Sequence, residues 1–235
     1  RSWLFDNNHV IERPYMIGLD CTLDTTQYSC YMHKEIMEQS SLSCPMLSLP
    51  HRYVIKLVGC GSSLNALRYA AYYLTQSKTV LSTEFDPFKD IWGEPNTNLV
   101  IFVSQSGETY DTNLAVRRLK SVYPDAGCCC LVNNIHSQLA RIAAPALDVK
   151  AGVENAVAAT KTYTQQIRCL LELRQPISRD FILRAKEIAR SLMRQTTSTT
   201  LWLVGAGPLF AVLQEACLKL QEVSLQHTVC MEIGA

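Results

Sequence analysis

Short apolar runs alternate with helical stretches through residues 53–149, and this alternation is the feature that most constrains the fold. Strands that alternate with helices at this spacing build a parallel sheet covered by helices on both faces. The pattern therefore predicts an α/β fold with three layers, α/β/α. Strands are predicted at 53–59, 79–85, 99–103, 127–132 and 146–149, helices at 63–76, 111–122, 137–142, 157–173 and 178–194, and a loop at 87–95.

The turn at 104–109, with the sequence SQSGET, lies between a predicted strand and a predicted helix. Free backbone N–H groups and the positive end of the helix dipole meet at such a point, which makes it a candidate phosphate site. A second turn, with Ser62 and Ser63, follows the first strand of the sheet in the same way. Because ligands bind beyond the carboxyl ends of parallel strands, the two turns together predict a site for one phosphomonoester. The alternative is that Ser106 and Thr109 only cap the helix.

Gly59 and Gly61 leave a different interpretation open. A Gly-x-Gly turn after a strand is typical of dinucleotide-binding folds, and Glu84 is predicted at the end of the next strand, where a ribose-binding acid would lie. The third glycine of that motif is missing, since Leu64 takes its position. A nucleotide-binding oxidoreductase therefore remains an alternative to a sugar-phosphate protein.

Two further segments have the composition of ligand sites. Residues 150–161 contain small side chains that allow close backbone approach to a ligand, or they form an ordinary capped connection. On the last predicted helix, one polar stripe contains Glu215, Lys219, Glu222 and Gln226. In one interpretation Glu222 is a general base with Lys219 as its charged neighbour. In the other, the stripe is a solvated face with ion pairs.

The sequence contains an internal repeat. Residues 57–61, LVGCG, and residues 203–207, LVGAG, each begin a strand, a turn and a helix. A second copy of the sheet domain is therefore predicted to start near Thr200. In this copy Pro208 and Leu209 replace the two serines of the first turn, so only the first copy is predicted to hold phosphate. Only one strand and one helix of the second copy are predicted, which cannot close a core.

Charge and hydropathy exclude several classes of function. The formal net charge is +1 without a basic or acidic block, which argues against nucleic acid or an anionic membrane as the main partner. No apolar run approaches the roughly 20 residues that span a bilayer. Many of the ten cysteines lie in apolar strands or helices, where a free thiol packs as a small hydrophobe, and this predicts a reducing, cytoplasmic compartment. The scattered histidines and the lack of a CxxC motif predict no metal site.

Four segments together resemble a known family. They are CGSS at 60–63, SQSGET at 104–109, AVAATK at 156–161 and LKLQE at 218–222, in the family's order. They resemble the sugar isomerase (SIS) domains of the glutamine–fructose-6-phosphate aminotransferases, the isomerising glucosamine-6-phosphate synthases. The resemblance covers about residues 28–235 and implies a flavodoxin-like SIS domain followed by the start of a second copy.

The resemblance implies an activity and a role for each matching residue. The family makes glucosamine 6-phosphate from fructose 6-phosphate and glutamine, in hexosamine biosynthesis on the route to UDP-N-acetylglucosamine, without a metal or organic cofactor. By matching position, Glu222 would move a proton between C1 and C2 of the sugar, with Lys219 beside it. The phosphate would be bound by Ser63, Ser104, Gln105, Ser106 and Thr109, and the sugar would be lined by Cys60, Ser62 and Val157.

Family members dimerise through their isomerase domains, so the resemblance also implies a homodimer.

The chain is predicted to divide into five segments. Residues 1–28 are an irregular linker or the end of an upstream glutaminase domain, 29–52 a lead-in helix and loop, 53–176 the first SIS domain, 177–199 a connecting helix, and 200–235 the truncated start of the second SIS domain.

Parts of the family's machinery are missing from this sequence. The ring-opening histidine, the lysine that forms an imine with the sugar and the cysteine nucleophile of the glutaminase have no match, and His227 matches a different histidine of the family. We therefore expect an incomplete fragment that binds the sugar phosphate without turning it over. A non-catalytic regulatory SIS module that binds sugar phosphates is the alternative.

Overall fold

The computed structural model describes residues 3–6, 9–12, 23–24, 26–43, 53–93, 97–172 and 200–234. The strands are β1 (Trp3–Asp6), β2 (His9–Glu12), β3 (Val54–Gly59), β4 (Ser77–Leu81), β5 (Asn98–Ser104), β6 (Gly127–Val132), β7 (Ala146–Asp148), β8 (Thr200–Gly205) and β9 (His227–Glu232). The helices are α1 (Tyr31–Glu38), α2 (Gly61–Ala71), α3 (Pro87–Asp90), α4 (Tyr110–Val122), α5 (Gln138–Ile142), α6 (Lys161–Glu172) and α7 (Pro208–Ser224).

A five-stranded parallel sheet forms the centre of the fold, with the strand order β4-β3-β5-β6-β7. Helices cover both faces, so the predicted three-layer α/β/α architecture is confirmed. On one face the strands pack against α4 and α5, through Val58, Phe102, Val132, Val116, Leu119 and Leu139. On the other face they pack against α2 and α6, through Leu57, Val103, Leu131, Leu67, Cys169 and Leu170. Because both faces are buried, the central strands are almost continuously apolar.

Three helices differ from the predicted boundaries. Helix α2 ends at Ala71 instead of near residue 76. Helix α6 begins at Lys161 rather than at 157. Its start is fixed by the Glu154 carboxylate, which accepts hydrogen bonds from the N–H groups of Thr160 at 2.7 Å and Thr162 at 3.3 Å. Helix α3 forms inside the predicted loop at 87–95. Its capping residue is the aspartate before it, and proline occupies its first turn, where its missing N–H costs nothing.

The first described residues form a two-stranded hairpin. Strands β1 and β2 pair antiparallel, with Trp3 opposite Glu12 and Asp6 opposite His9. The prediction that residues 1–28 are irregular is therefore wrong for these strands, because strands of four residues are too short to give a recognisable period. The division of the chain into five segments stays a prediction. The helix at 178–194, and with it the segment at 177–199, lies outside the described residues.

The sheet formed by β8 and β9 contains a strand that the sequence did not reveal. Strand β8 precedes α7 in the chain, β9 follows it, and the two strands pair in parallel, whereas the sequence predicted one strand and one helix. The repeat recurs in the packing. A Cβ atom added to Gly59 would lie 3.0 Å from Leu67, and one added to Gly205 would lie 2.7 Å from Leu213, the corresponding leucine of the second copy. The same close contact between the strand and the following helix therefore occurs in both copies.

Candidate functional site

The two hydroxyl-bearing turns leave the sheet side by side. Strands β3 and β5 are parallel neighbours, with Gly59 opposite Val103. The turn at 60–63 therefore starts next to the turn at 104–109, and each leads directly into a helix, α2 or α4. Two helix N-termini consequently converge on one edge of the sheet, where their dipoles favour an anion.

The turn at 104–109 is organised by its own hydroxyl groups. The Oγ atom of Ser104 is 3.0 Å from Oγ1 of Thr109 and accepts a hydrogen bond from the N–H of Gly107 at 3.0 Å. The Oγ of Ser106 accepts from the N–H of Glu108 at 3.1 Å. Thr109 is the N-cap residue of α4, but its side chain makes no capping hydrogen bond. The side chains of Ser106 and Thr109 therefore do not cap α4, and the capping interpretation does not explain their hydroxyl groups.

Close packing at Gly107 fixes the shape of this turn. Its φ is +69°, and an added Cβ would lie 2.0 Å from Oγ and 2.4 Å from Cβ of Ser137. The carbonyl of Gly107 accepts a hydrogen bond from the N–H of Leu139 at 3.0 Å. Oε1 of Glu108 accepts from the N–H of Gln138 at 2.9 Å, at the N-terminus of α5. The turn is therefore anchored on α5 and held rigidly.

The turn at 60–63 is tied to a different helix. Cys60 is the half-buried N-cap residue of α2 and makes no side-chain capping bond. Ser62 is half-buried in the first turn of α2. Ser63 is buried, and its Oγ accepts a hydrogen bond from Nε2 of Gln166 in α6 at 3.1 Å. The hydroxyl hydrogen of Ser63 can still be donated to a ligand.

Asn133, directly after β6, joins the turn at 104–109 to the loop at 149–160, hereafter the β7–α6 loop. Its backbone N–H donates to the carbonyl of Gln105 at 3.2 Å. Its Oδ1 accepts from the N–H of Ala151 at 3.0 Å, and its Nδ2 donates to the carbonyl of Gly152 at 2.7 Å. One side chain thus sets the spacing between two loops of the candidate site. Val157, in the β7–α6 loop, is 99% exposed.

Helix α7 carries a charged cluster. Nζ of Lys219 lies 2.7 Å from Oε2 of Glu222 and 3.4 Å from Oε1 of Glu215. The Glu215 carboxylate is buried, and its Oε2 accepts a hydrogen bond from Nδ2 of Asn65 in α2 at 2.9 Å. The stripe is therefore not a uniformly solvated face, because it begins at a buried carboxylate and becomes exposed at Glu222.

Two tyrosines stay protonated beside this cluster. Burial, reinforced by the nearby charge of Glu215, raises the pKa of the Tyr163 hydroxyl. That hydroxyl is buried and has no hydrogen-bond partner among the described residues. Burial together with a hydrogen bond to Tyr73 raises the pKa of Tyr69 to about 12. Both hydroxyls remain neutral at physiological pH, so the negative charge here belongs to the carboxylates.

The structure brings the predicted residues together in two groups. The turns at 60–63 and 104–109 form one group at the sheet edge, and Lys219 with Glu222 forms the other on α7. Asn65, one turn after the first group on α2, connects them through Glu215.

Glu84 does not occupy the position that the nucleotide interpretation requires. Strand β4 ends at Leu81, and Glu84 is exposed in the turn that follows, where its N–H donates to the Leu81 carbonyl. The prediction that Glu84 ends the second strand is therefore wrong. The chain turns away before an acid at this position could lie at the strand end.

Sequence reasoning missed several residues that organise the site. Asn133 could have been found, because an Asn-Asn pair follows an apolar strand at the carboxyl edge. The roles of Asn65 and Gln166 left no local signal. Each acts through a partner more than 100 residues away.

A cavity of about 500 Å³ lies elsewhere, between α2, β4, α7 and β9. Its lining residues include Arg68 and Tyr72 near the end of α2, Lys78 on β4, Gln214 on α7 and Glu232 on β9. It does not include either hydroxyl turn, so it is separate from the candidate site.

Among the residues that the structure describes, no three His, Cys, Asp or Glu side chains converge on a possible metal position. No helix within the described ranges combines the length and apolar character needed to cross a membrane.

Comparison with protein families identifies the domain. Residues 50–171 match the family described as SIS domain. The glutamine–fructose-6-phosphate aminotransferase (isomerizing) of Haemophilus ducreyi is 31% identical over 77% of this chain, and that of Methanocaldococcus jannaschii is 27% identical over 97% of it. The chain covers only 34% and 24% of these two relatives. It therefore spans about a quarter to a third of the length of these two curated relatives.

Solved structures share the fold. The C-terminal domain of the glucosamine-fructose-6-phosphate aminotransferase from Francisella tularensis superposes with a TM-score of 0.67 at 23% identity, covering 90% of this chain and 72% of that chain. The tagatose-6-phosphate ketose/aldose isomerase from Escherichia coli gives a TM-score of 0.67 at 19% identity, covering 88% of this chain and 67% of that chain. At these identities the likeness supports the fold alone.

Proposed function

This chain belongs to the SIS domain family, and we propose that it binds fructose 6-phosphate and glucosamine 6-phosphate at the carboxyl edge of its five-stranded sheet. As part of a longer isomerising aminotransferase, it would take part in converting the ketose to the aldose while an amino group is transferred from glutamine. The curated relatives named above carry that activity in their names.

One observation carries this proposal. Two neighbouring parallel strands, β3 and β5, both end in hydroxyl-rich turns that open helices. A phosphomonoester there would receive hydrogen bonds from hydroxyls and backbone N–H groups and would face two helix dipoles. The phosphate ligands we propose are Ser63, Ser104, Gln105, Ser106 and Thr109, and the sugar contacts are Cys60, Ser62 and Val157.

The chemical step is assigned to α7. We assign Glu222 as the base that would remove a proton from C1 of the open-chain ketose and deliver a proton to C2, while the hydroxyl proton on O1 passes to O2, so that no net proton is consumed. Nζ of Lys219, 2.7 Å from Oε2 of Glu222, would hold the carboxylate in place. Glu215 fixes Lys219 from the other side at 3.4 Å.

The binding proposal is tested by calorimetry of the chain with fructose 6-phosphate, against NADH as the competing ligand class. We expect saturable binding of the sugar phosphate and none of NADH. Tight NADH binding without sugar-phosphate binding would instead establish the nucleotide-binding alternative.

The catalytic proposal is tested by proton exchange. In D₂O, an isomerase incorporates deuterium into bound sugar phosphate, and NMR detects the loss of the C1 or C2 proton signal. We expect exchange only in a longer protein that also contains the family's ring-opening histidine and imine-forming lysine. There, Glu222→Gln should abolish it, while Glu232→Gln, an exposed change at the end of β9, should leave it intact.

One observation favours a second candidate, a non-catalytic SIS module that senses sugar phosphates. Glu222 is exposed and paired with Lys219, an arrangement that an ordinary solvated ion pair on a helix surface also adopts. A longer natural protein that binds the sugar phosphate and shows no deuterium exchange would establish this module in place of the enzyme.

The proposal extends to the whole protein that the chain would belong to. We propose a glutaminase domain upstream, a homodimer, neither a metal nor an organic cofactor, and a cytoplasmic location. The location is supported by the thiols of Cys129 and Cys130, which are free and buried in the central strand β6. Such thiols suit a reducing compartment.

A further inference from the structure

Glu35 is a buried carboxylate on α1, outside the five-stranded sheet. It is 2% exposed and is the residue of α1 that the fold buries. Its Oε1 accepts hydrogen bonds from the N–H groups of Asn155 at 2.5 Å and Ala156 at 3.1 Å. Burying a carboxylate costs free energy unless hydrogen bonds or opposite charges compensate for its lost hydration. Hydrogen bonds to a charged group are stronger than those between neutral groups. We therefore expect these two hydrogen bonds to give Glu35 a specific structural role.

The backbone that Glu35 holds is the middle of the β7–α6 loop, next to Val157. The start of this loop is held by Asn133, which also bonds to the turn at 104–109. Its end is held by Glu154, whose carboxylate accepts from Thr160 and Thr162. Glu35 supplies the restraint on the segment between these two fixed ends, and this restraint comes from a distant part of the chain.

Helix α1 is fixed in place without Glu35. Along α6, Lys161 forms an ion pair with Glu38 at 2.6 Å and Thr164 donates to Gln39 at 2.8 Å. The chain after α1 continues this seam, with side chains of α6 donating to backbone carbonyls: Gln165 to Ser43 at 2.6 Å and Arg168 to Leu42 at 3.0 Å. Removing the Glu35 carboxylate should thus loosen the loop while α1 stays docked.

We propose that Glu35 is a positioning residue for the sugar end of the site. It orders residues 155–157 so that the loop presents Val157 and its backbone to the carbon chain of the sugar, while the phosphate is held independently by the turn at 104–109. This inference rests on the function proposed above. It predicts that losing Glu35 weakens binding of the sugar and leaves binding of phosphate unchanged.

The test compares three variants of the full chain by calorimetry, with fructose 6-phosphate and with inorganic phosphate as probes. Glu35→Ala should weaken binding of fructose 6-phosphate roughly tenfold or more, because small misplacements of a site are costly. Its affinity for inorganic phosphate should match that of the wild type. Glu35→Gln keeps one carbonyl oxygen that can accept from the loop, so it should recover part of the loss. Glu38→Gln, on the same helix but bonded to Lys161, should bind both probes like the wild type.

Hydrogen exchange of the Asn155 and Ala156 amides gives a second readout, one that needs no ligand. Exchange should be faster in Glu35→Ala and unchanged in Glu38→Gln. The inference fails if the wild type binds fructose 6-phosphate and Glu35→Ala binds it equally well, or if Glu35→Ala loses both probes in parallel. If the wild type binds no sugar phosphate at all, the proposed function fails and the inference with it.

Discussion

Nδ2 of Asn65 donates a hydrogen bond to Oε2 of Glu215 at 2.9 Å, although 150 residues separate the two side chains. Both are buried. Asn65 lies on α2, one turn after the Ser62–Ser63 turn, and Glu215 lies on α7, beside Lys219. This single bond connects the helix that follows the proposed phosphate site to the helix that carries the proposed base.

Removing this bond should destabilise the fold. Asn65→Ala leaves the Glu215 carboxylate buried without its donor, which should lower the free energy of unfolding by about 1–3 kcal/mol in urea denaturation. Arg68→Ala is the matched control, since its half-buried side chain donates to Gln214 on α7 at 3.2 Å. Equal decreases in the free energy of unfolding of the two variants would mean that water replaces the Asn65 amide at Glu215.

Removing the hydroxyls of the turn at 104–109 should weaken ligand binding. Ser104→Ala combined with Ser106→Ala should reduce the affinity for fructose 6-phosphate more than about tenfold, because each hydrogen bond to a charged group is worth roughly 1.5–3 kcal/mol. Ser121→Ala removes an exposed hydroxyl from α4 and should bind normally. Calorimetry measures the affinities for fructose 6-phosphate. An unchanged affinity in the double variant would mean that these serines have only a structural role.

Alanine substitutions at Gly107 and Gly93 distinguish the effect of steric clash from that of backbone strain. Gly107→Ala would force a Cβ to within 2.0 Å of Ser137, at a φ of +69°. Gly93 has the same φ, but no atom of the described residues lies within 4 Å of an added Cβ. We expect Gly93→Ala to lower the unfolding free energy by about 1–2 kcal/mol, from strain alone. Gly107→Ala should cost at least about 1–3 kcal/mol more from overpacking. Similar thermal melts for the two would show that Ser137 moves aside freely.

The two carboxylates of α1 should respond to pH in opposite directions. Burial raises the pKa of Glu35 above 4.5, despite its hydrogen bonds to Asn155 and Ala156. The folded state then binds more protons than the unfolded state, so Glu35 favours folding more as the pH falls from neutral towards 4.5. Burial also opposes ionisation of Glu38, but its ion pair with Lys161 lowers the pKa of Glu38 below 4.5. Its contribution is present above 4.5 and is lost as the pH falls further.

Urea unfolding across this pH range measures the difference. The stability of the wild type relative to Glu35→Gln should increase as the pH falls, whereas its stability relative to Glu38→Gln should decrease. The assigned environments are wrong if both differences slope in the same direction.

The cysteines of β6 should be slow to react. Burial, together with the neighbouring thiols Cys130 and Cys128, raises the pKa of Cys129 to about 12. Only the thiolate is nucleophilic, so iodoacetamide should label exposed Cys30 in the native chain and reach Cys129 only after unfolding. Peptide mass spectrometry reports both sites. Rapid native labelling of Cys129 would mean that β6 opens readily.

Local pattern was sufficient for much of the central sheet, although it predicted the second strand at 79–85 and the structure has β4 at Ser77–Leu81. The strand at 127–132 matches β6 at both ends, and the helix at 111–122 differs from α4 by one residue, because apolar period and turn composition are properties of adjacent residues. Strand β9 was missed, since Thr228 is buried and Met231 is exposed, so hydrophobicity does not follow its burial. The late start of α6 was missed because it depends on the side chain of Glu154.

The sequence by itself determined the α/β class, the parallel central sheet, and the presence of two hydroxyl-rich turns at its carboxyl edge. These follow from short-range periodicity and from the rule that parallel strands end on one side. The tertiary structure alone decided that Asn65 would reach Glu215 and that Glu35 would hold the β7–α6 loop. Those contacts join residues 120 to 150 positions apart, and no local period records which distant donor a buried carboxylate will meet.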